Sequence, residues 1–229
     1  MIDFAWATDH LDDLLGRVVQ HAVLAGIPIA IGFAISLALA IWAVRRPVAR
    51  TPIVSISGLL YTIPSAALFA ALVPVTGLSV QTAVIPLTLY TFLIYLRNML
   101  AGLDGVAPEV LEAADAMGYG RWQRLARVEL PLALPLIVGG VRLASVSTIG
   151  LVTVSGILGD RFGGLGFFIF EGYRRSFPTE ILFGALPTIV LAIAIDTVLQ
   201  SLQRRLTPWA PRTERAIDPV RGRAAGAAA

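Results

Sequence analysis

Hydrophobic residues along the chain gather into five long runs with polar breaks between them: 18–44, 52–76, 78–97, 132–158 and 180–203. An α-helix needs about 20 apolar residues to cross the hydrocarbon of a bilayer, because each residue advances only about 1.5 Å. Every run meets that length, so each predicts one membrane-spanning helix. The first three carry no internal Asp, Glu or Arg. Ahead of them, residues 3–17 set Phe4, Trp6, Leu11, Leu14 and Leu15 among Asp3, Asp9, Asp12 and Asp13, which predicts a short interfacial helix. This acidic leader lacks the basic start of a secretory signal, and the run behind it is too long for a signal's apolar core. At the other end, Pro208, Pro211, Pro219 and an Ala/Gly finish predict a disordered tail. The expected fold class is all-α and polytopic, with five transmembrane helices and an extra short N-terminal helix. The expected domains are an extracytoplasmic leader at 1–17, one transmembrane domain at 18–205 and a cytoplasmic tail at 206–229.

Composition and charge then orient the spans. Only 14% of residues are charged, against about a quarter in soluble domains. All 18 basic residues are Arg, and there is no Cys. Disulfides, thiolate metal sites and cysteine nucleophiles are therefore excluded. With the N-terminus outside, 13 Arg fall on the cytoplasmic side, four (Arg17, Arg161, Arg174 and Arg175) fall outside, and Arg142 lies within the fourth run. The positive-inside rule thus predicts a multi-pass protein of the cell (inner) membrane, N-terminus out and C-terminus in. The Arg residues flank apolar runs rather than forming a basic stripe interleaved with aromatics, so nucleic acid is not an expected partner. The lipid membrane is.

Two charges lie inside the runs. Arg142 follows Pro131 by eleven residues, and Asp196 precedes Arg204 by eight. Both then sit roughly 12–16 Å from the same face. An unpaired charge at that depth costs on the order of 3 kcal/mol, and the two spans run antiparallel. The expectation is an Arg142–Asp196 ion pair, or pairing of each with neighbouring polar groups, with exposure of each to a water-filled cytoplasmic vestibule as the alternative.

Residues 98–131 form the largest loop on the Arg-rich side. Pro108 suits the first position of a helix, and Glu109 and Glu112 suit its positively polarised first turns. Gly118 suits a left-handed stop. The loop should hold a helix at 108–117, a bend, a second helix at 120–127, and then Leu130-Pro131 opening the fourth span. Within it stand Glu112-Ala113-Ala114, three residues, Gly118, nine residues, and Val128-Glu129-Leu130-Pro131. This EAA-x3-G-x9-[IV]-x-LP pattern resembles the cytoplasmic coupling motif of ABC-importer permease subunits. The resemblance implies the type I importer permease fold. It also implies that segment 108–131 docks on a separate ATPase, through Glu112, Ala113, Ala114, Gly118, Leu130 and Pro131. Small Ala113, Ala114 and Ala116 would let the helix lie deep in a groove of that partner.

Further stretches narrow the resemblance. Thr62-Ile63-Pro64-Ser65, Leu96-Arg97-Asn98, Gly102-Leu103-Asp104-Gly105-Val106, Leu130-Pro131-Leu132-Ala133-Leu134-Pro135 and Gly163-Gly164-Leu165-Gly166 look like the osmoprotectant (ProW-type) branch, which imports glycine betaine, choline, carnitine or proline betaine. Methionine and sulfonate importers share the architecture. The resemblance implies three partners: ATPase subunits carrying ATP and Mg, a second permease (identical or paralogous), and an extracytoplasmic binding protein that selects the solute. No cofactor is expected on this chain, which lacks a phosphate-binding GxxxxGK[ST] loop. With two His and no cluster of nucleophile, base and metal ligands, an enzyme is not expected. His21, in an apolar run, reads as a packed or interfacial histidine rather than a ligand. An ATPase-independent channel or scaffold is the reading from another class, and the coupling motif argues against it. The polar residues Thr62, Ser65, Ser145, Thr148 and Ser155 are candidates for a translocation path, or for plain helix-to-helix bonding. Gly163, Gly164, Gly166 and Phe167 are candidates for an outer gate, or for an interfacial belt. Gly32, Ser36 and Ala40, like Gly140, Ala144 and Thr148, form small-residue stripes expected to pack helices.

Overall fold

The structure, a computed structural model, describes residues 3–210. The tail expected at 206–229 lies outside the described residues from 211 onward. Helix α1 spans Phe4–Asp9, α2 Leu11–Arg45, α3 Pro47–Thr62, α4 Ser65–Thr76, α5 Val80–Asp104 and α6 Pro108–Ala116. Then come α7 (Arg121–Arg124), a π-helical turn at Leu125–Glu129, α8 (Leu130–Val152), a 3-10 segment at Thr153–Leu158, α9 (Gly166–Arg174) and α10 (Pro178–Leu206). Four helical stretches are long and apolar enough to cross a membrane, and the α3–α4 pair supplies a fifth if counted as one bent span.

Helix α5 is the centre of the bundle. It lies between α2 and α8, with α3 and α4 on its flank, while α10 covers α8 and α9 from outside. Two apolar clusters fill the interior. One, at the coupling end, joins Tyr95, Leu96, Met99, Leu103, Leu125, Ala133 and Ile137. The other, at the opposite end, joins Leu24, Phe69, Leu87, Ile149, Val152 and Leu158. The small-residue stripes sit where backbones meet, because lipid-solvated helices associate through close packing. A Cβ added at Gly32 would come within 1.9 Å of Thr91 Oγ1, and one at Gly140 within 2.6 Å of Asn98 Cβ.

Four features depart from the linear reading. The interfacial helix expected at 3–17 is confined to α1, and residues 11–17 belong to α2. His10 breaks the backbone between them, and Asp12 and Asp13 favour a new helix N-terminus there. Helix α1 does not lie free: the Asp3 amide donates to Thr179 Oγ1 at 2.9 Å, and Trp6 packs against Phe168, Phe177 and Phe183. The second run is broken, with α3 and α4 meeting at 94°. Pro64 has no N–H to donate and holds Ile63 extended, at ψ 128°. Helix α8 opens at Leu130 as expected, but no break precedes it: helix of one kind or another runs from Arg121 to Leu158. The π turn explains how: the Leu130 amide reaches back to the Leu125 carbonyl. The wider turn makes room for the Pro131 ring, which would otherwise press on the preceding turn. Finally, the fourth run ends in a 3-10 segment rather than α-helix.

Candidate coupling site and membrane path

Helix α6 forms for local reasons. Pro108 opens it and Glu109 lies in its first turn. Its end is a Schellman motif: the Gly118 amide donates to Asp115 O at 2.9 Å and the Tyr119 amide to Ala114 O at 3.1 Å. Gly118 has φ +82°, and a Cβ there would meet nothing within 4 Å. Glycine is required for its left-handed backbone, not for space.

Burial divides the EAA residues. Glu112 and Ala113 are exposed, whereas Ala114 is 1% exposed and packs inside its own chain. Only two of the three therefore face outward, together with Ala116 and Met117. Leu130 and Pro131 are half-buried within the continuous helix.

A fork of charges ties α6 to the span. Arg124 donates through Nη1 to Asp115 Oδ2 at 2.6 Å and through Nε to Glu129 Oε1 at 2.9 Å. Glu129 is buried, and Arg124 is its ion-pair partner. Leu125, on the same turn, inserts into the cluster formed by α2, α5 and α8. Just beyond, α5 and α8 touch through backbone: a Cβ on Gly102 would fall 2.9 Å from Ala133 O. Side-chain bonds and helix, rather than a free loop, thus join α6 to α8, and α8 touches α5 through backbone. The Arg124 fork was not foreseen from the sequence, although Glu129 occupies the free position between Val128 and Leu130.

Within the bundle, Arg142 and Asp196 meet in a two-pronged pair, with Nε–Oδ1 and Nη2–Oδ2 both 2.9 Å. Arg142 Nη1 also donates to Gln203 Oε1 at 3.1 Å, and Gln203 Nε2 donates to Pro135 O at 3.0 Å. Gln203 escaped the linear reading. Its spacing of seven residues from Asp196 puts both on one helix face.

The path candidates separate. Ser145, Thr148 and Ser155 are almost fully buried within the subunit, and the Ser155 hydroxyl lies against the Val152 and Phe162 carbonyls. Thr62 is exposed and Ser65 half-buried, and they flank the α3–α4 break. Irregular backbone at membrane depth needs partners. Here the Tyr90 hydroxyl donates to the Ile63 carbonyl, a contact the sequence did not signal.

The outer-gate glycines lie flush on the bundle. A Cβ on Gly166 would fall 2.0 Å from Thr153 O, on Gly163 2.8 Å from Gly156 Cα, and on Gly164 3.0 Å from His21 Nδ1. His21, wholly buried, accepts from the Leu165 amide at Nδ1, which leaves Nε2 to donate to Ile149 O. Phe167 lies 4.2 Å beneath the Arg17 guanidinium, which also pairs with Asp13 and Asp160. The loop between the 3-10 segment and α9 is thus bonded to Arg17, Gln20 and His21 of α2. Among the described residues no group of three or more His, Cys, Asp or Glu is arranged to hold a metal ion.

Comparison with known proteins places this architecture. The profile of the binding-protein-dependent transport system inner membrane component family matches residues 19–210. The carnitine transport permease protein OpuCB of Listeria monocytogenes is 34% identical over 203 residues, covering 89% of this chain and 92% of that protein. The osmoprotectant import permease protein OsmW of Salmonella typhimurium is 36% identical over 205 residues, covering 87% and 94%. In fold, the chain is similar to one from the methionine ABC transporter MetNI in an inward-facing conformation. The TM-score is 0.69 at 24% identity, over 87% of this chain and 96% of that one. The helical bundle thus has its counterpart: the chain belongs to the family of binding-protein-dependent transport system inner membrane components, and is a multi-pass permease subunit of an ABC importer, not an enzyme.

Proposed function

We propose that this permease imports compatible solutes such as glycine betaine, choline, carnitine or proline betaine. The relatives named for carnitine and for osmoprotectants support that solute class. The observation that carries the mechanism is the stiff connection from α6 through Arg124 and the π turn into α8. An ATPase bearing ATP and Mg docks on the exposed face that holds Glu112 and Ala113. Its closure on ATP pushes α6, and the push passes to α8 and, across the Gly102–Ala133 contact, to α5. A second permease, a copy or a paralogue, faces this one, and an extracytoplasmic binding protein delivers the solute. The Arg distribution supports an outer N-terminus and an inner C-terminus. The break at Ile63–Pro64, flanked by Thr62 and Ser65, is the part of the chain best suited to line the path, because broken helices expose backbone groups where a polar solute passes.

The test is ATP-driven uptake of radiolabelled glycine betaine into vesicles holding the complete transporter and binding protein, wild type beside Gly118→Asp. Uptake that is lost in the variant supports solute class and lever together. Retained ATPase with no uptake in wild type discards the solute class, and failure of any ATPase to bind discards the coupling assignment.

A further inference from the structure

The structure carries a second feature at the coupling end that importing a solute does not require. A cavity of about 640 Å³ opens where the end of α2, the start of α3, α7 and the π turn converge. Four guanidinium groups line it, from Arg45, Arg46, Arg121 and Arg124, against a single carboxylate, Glu129. Arg124 is satisfied by Asp115 and Glu129. Arg45, Arg46 and Arg121 have no carboxylate partner among the described residues. Arg45 is moreover held in place: its guanidinium lies 3.3 Å over the Trp122 ring, and its Nε is buried with no acceptor.

The neighbourhood says what kind of anion fits. Arg45 and Arg46 follow directly on the apolar run 18–44, so they stand at the edge of the hydrocarbon. Ile41 and Val44 form the membrane-side wall of the cavity. Beside it Trp42 is half-exposed and Val48 is 90% exposed, apolar surface suited to acyl chains rather than water. The first turn of α3 adds its positive end, with no acidic residue and no side-chain cap to neutralise it. A phosphate held here would have charge and forked donors in front of it and an apolar ledge behind.

We propose that this cavity binds the headgroup of an anionic phospholipid from the leaflet on the coupling side. Arg45, Arg46 and Arg121 hold the phosphate, and Trp42 and Val48 seat the chains. Arg121 and Arg124 form the ends of α7, between α6 and the π turn, so the bound lipid sits beside the proposed coupling route. The site is independent of which solute is imported.

The test is native mass spectrometry of the detergent-purified complex, full-length permease with its ATPase, titrated with phosphatidylglycerol or phosphatidylcholine. Phosphatidylglycerol is retained in preference to phosphatidylcholine. Each lost guanidinium weakens it about fivefold, so Arg45→Gln/Arg121→Gln weakens it about 25-fold. Arg205→Gln, an exposed arginine outside the cavity, leaves retention unchanged. Arg121→Gln alone preserves the Arg45–Trp122 stack and reports even if the double variant unfolds. Inorganic phosphate does not displace the lipid. Equal retention of the two lipids, equal loss in Arg205→Gln, or displacement by phosphate alone overturns the site. So does loss of ATPase with lipid still bound in the glutamine variants, which would make the cavity part of the ATPase interface.

Discussion

Replacing Gly118 separates backbone strain from crowding. The residue sits at φ +82° with open space around its Cα, so an alanine methyl clashes with nothing. The entire intramolecular cost of Gly118→Ala is that of holding an L-residue left-handed, about 1–2 kcal/mol. That amount shifts the balance between the closed Schellman turn and a frayed α6 end by a factor of about 5–30. The change should appear in hydrogen exchange of the purified transporter. The Gly118 and Tyr119 amides, bonded to Asp115 O and Ala114 O, should exchange faster by that factor, while amides of α5 stay protected. Asparagine tolerates the left-handed region better than alanine, so Gly118→Asn should lie between alanine and wild type despite its bulk. Solute uptake should follow the same order, because the lever is only as stiff as the turn that ends α6. If alanine exchanges like wild type, or if asparagine is worse than alanine in exchange, the strain argument is wrong and side-chain volume governs the site.

Other outcomes follow from the same geometry. Arg142→Ala and Asp196→Ala should each cost about 1–3 kcal/mol in thermal unfolding, between the values for exposed and buried pairs. The pair's side chains are 25% and 38% exposed. The double variant should lose less than the sum of the singles, and additive losses would mean that the pair contributes nothing. Gly32→Ala should destabilise by about 1–3 kcal/mol and be relieved by Thr91→Ala, since the clash is with the Thr91 side chain. Gly166→Ala, whose clash is with the Thr153 backbone, should have no such side-chain rescue. In α9, the bond from Arg174, helped by Arg175, holds the Glu171 carboxyl below its usual value near 4.5. The stabilisation of α9 is then complete above that usual value and is lost as pH falls through the lower folded one. Exchange in residues 166–175 should rise as pH drops through this acid window, after correction for intrinsic rates, and Glu171→Gln should abolish the dependence.

The linear sequence revealed a good deal of this site, and the reason differs from residue to residue. Gly118 was legible because its role is local: a helix end in the left-handed region asks for glycine whatever surrounds it. Arg142 and Asp196 stood at matching depths because helical rise is constant, so counting residues gave their height. Counting could not supply Gln203 as their third member, because whether a polar residue on the same face reaches inward depends on how α8 and α10 cross. The Arg124 fork was hidden for a similar reason. Arg124 and Glu129 are five apart, a spacing that ordinary α-helix does not bring together and the π turn does.

What the sequence determined by itself was whatever the membrane enforces locally. Hydrocarbon thickness demands long uninterrupted apolar runs, so the spans could be counted along the chain, although the break at Pro64 within the second was not read from it. What tertiary structure alone decided was which way each side chain faces once the helices pack. Ala114 turned inward while Glu112 and Ala113 stayed out. Ser145, Thr148 and Ser155 were sealed inside the subunit while Thr62 remained exposed at the broken helix. Gly163, Gly164 and Gly166, candidates for a gate or an interfacial belt, became points of close contact with the 3-10 segment and α2. In an apolar solvent nearly every face of a helix is hydrophobic, so periodicity carries little information about orientation. Close contact between backbones and the pairing of the few polar groups settle it instead.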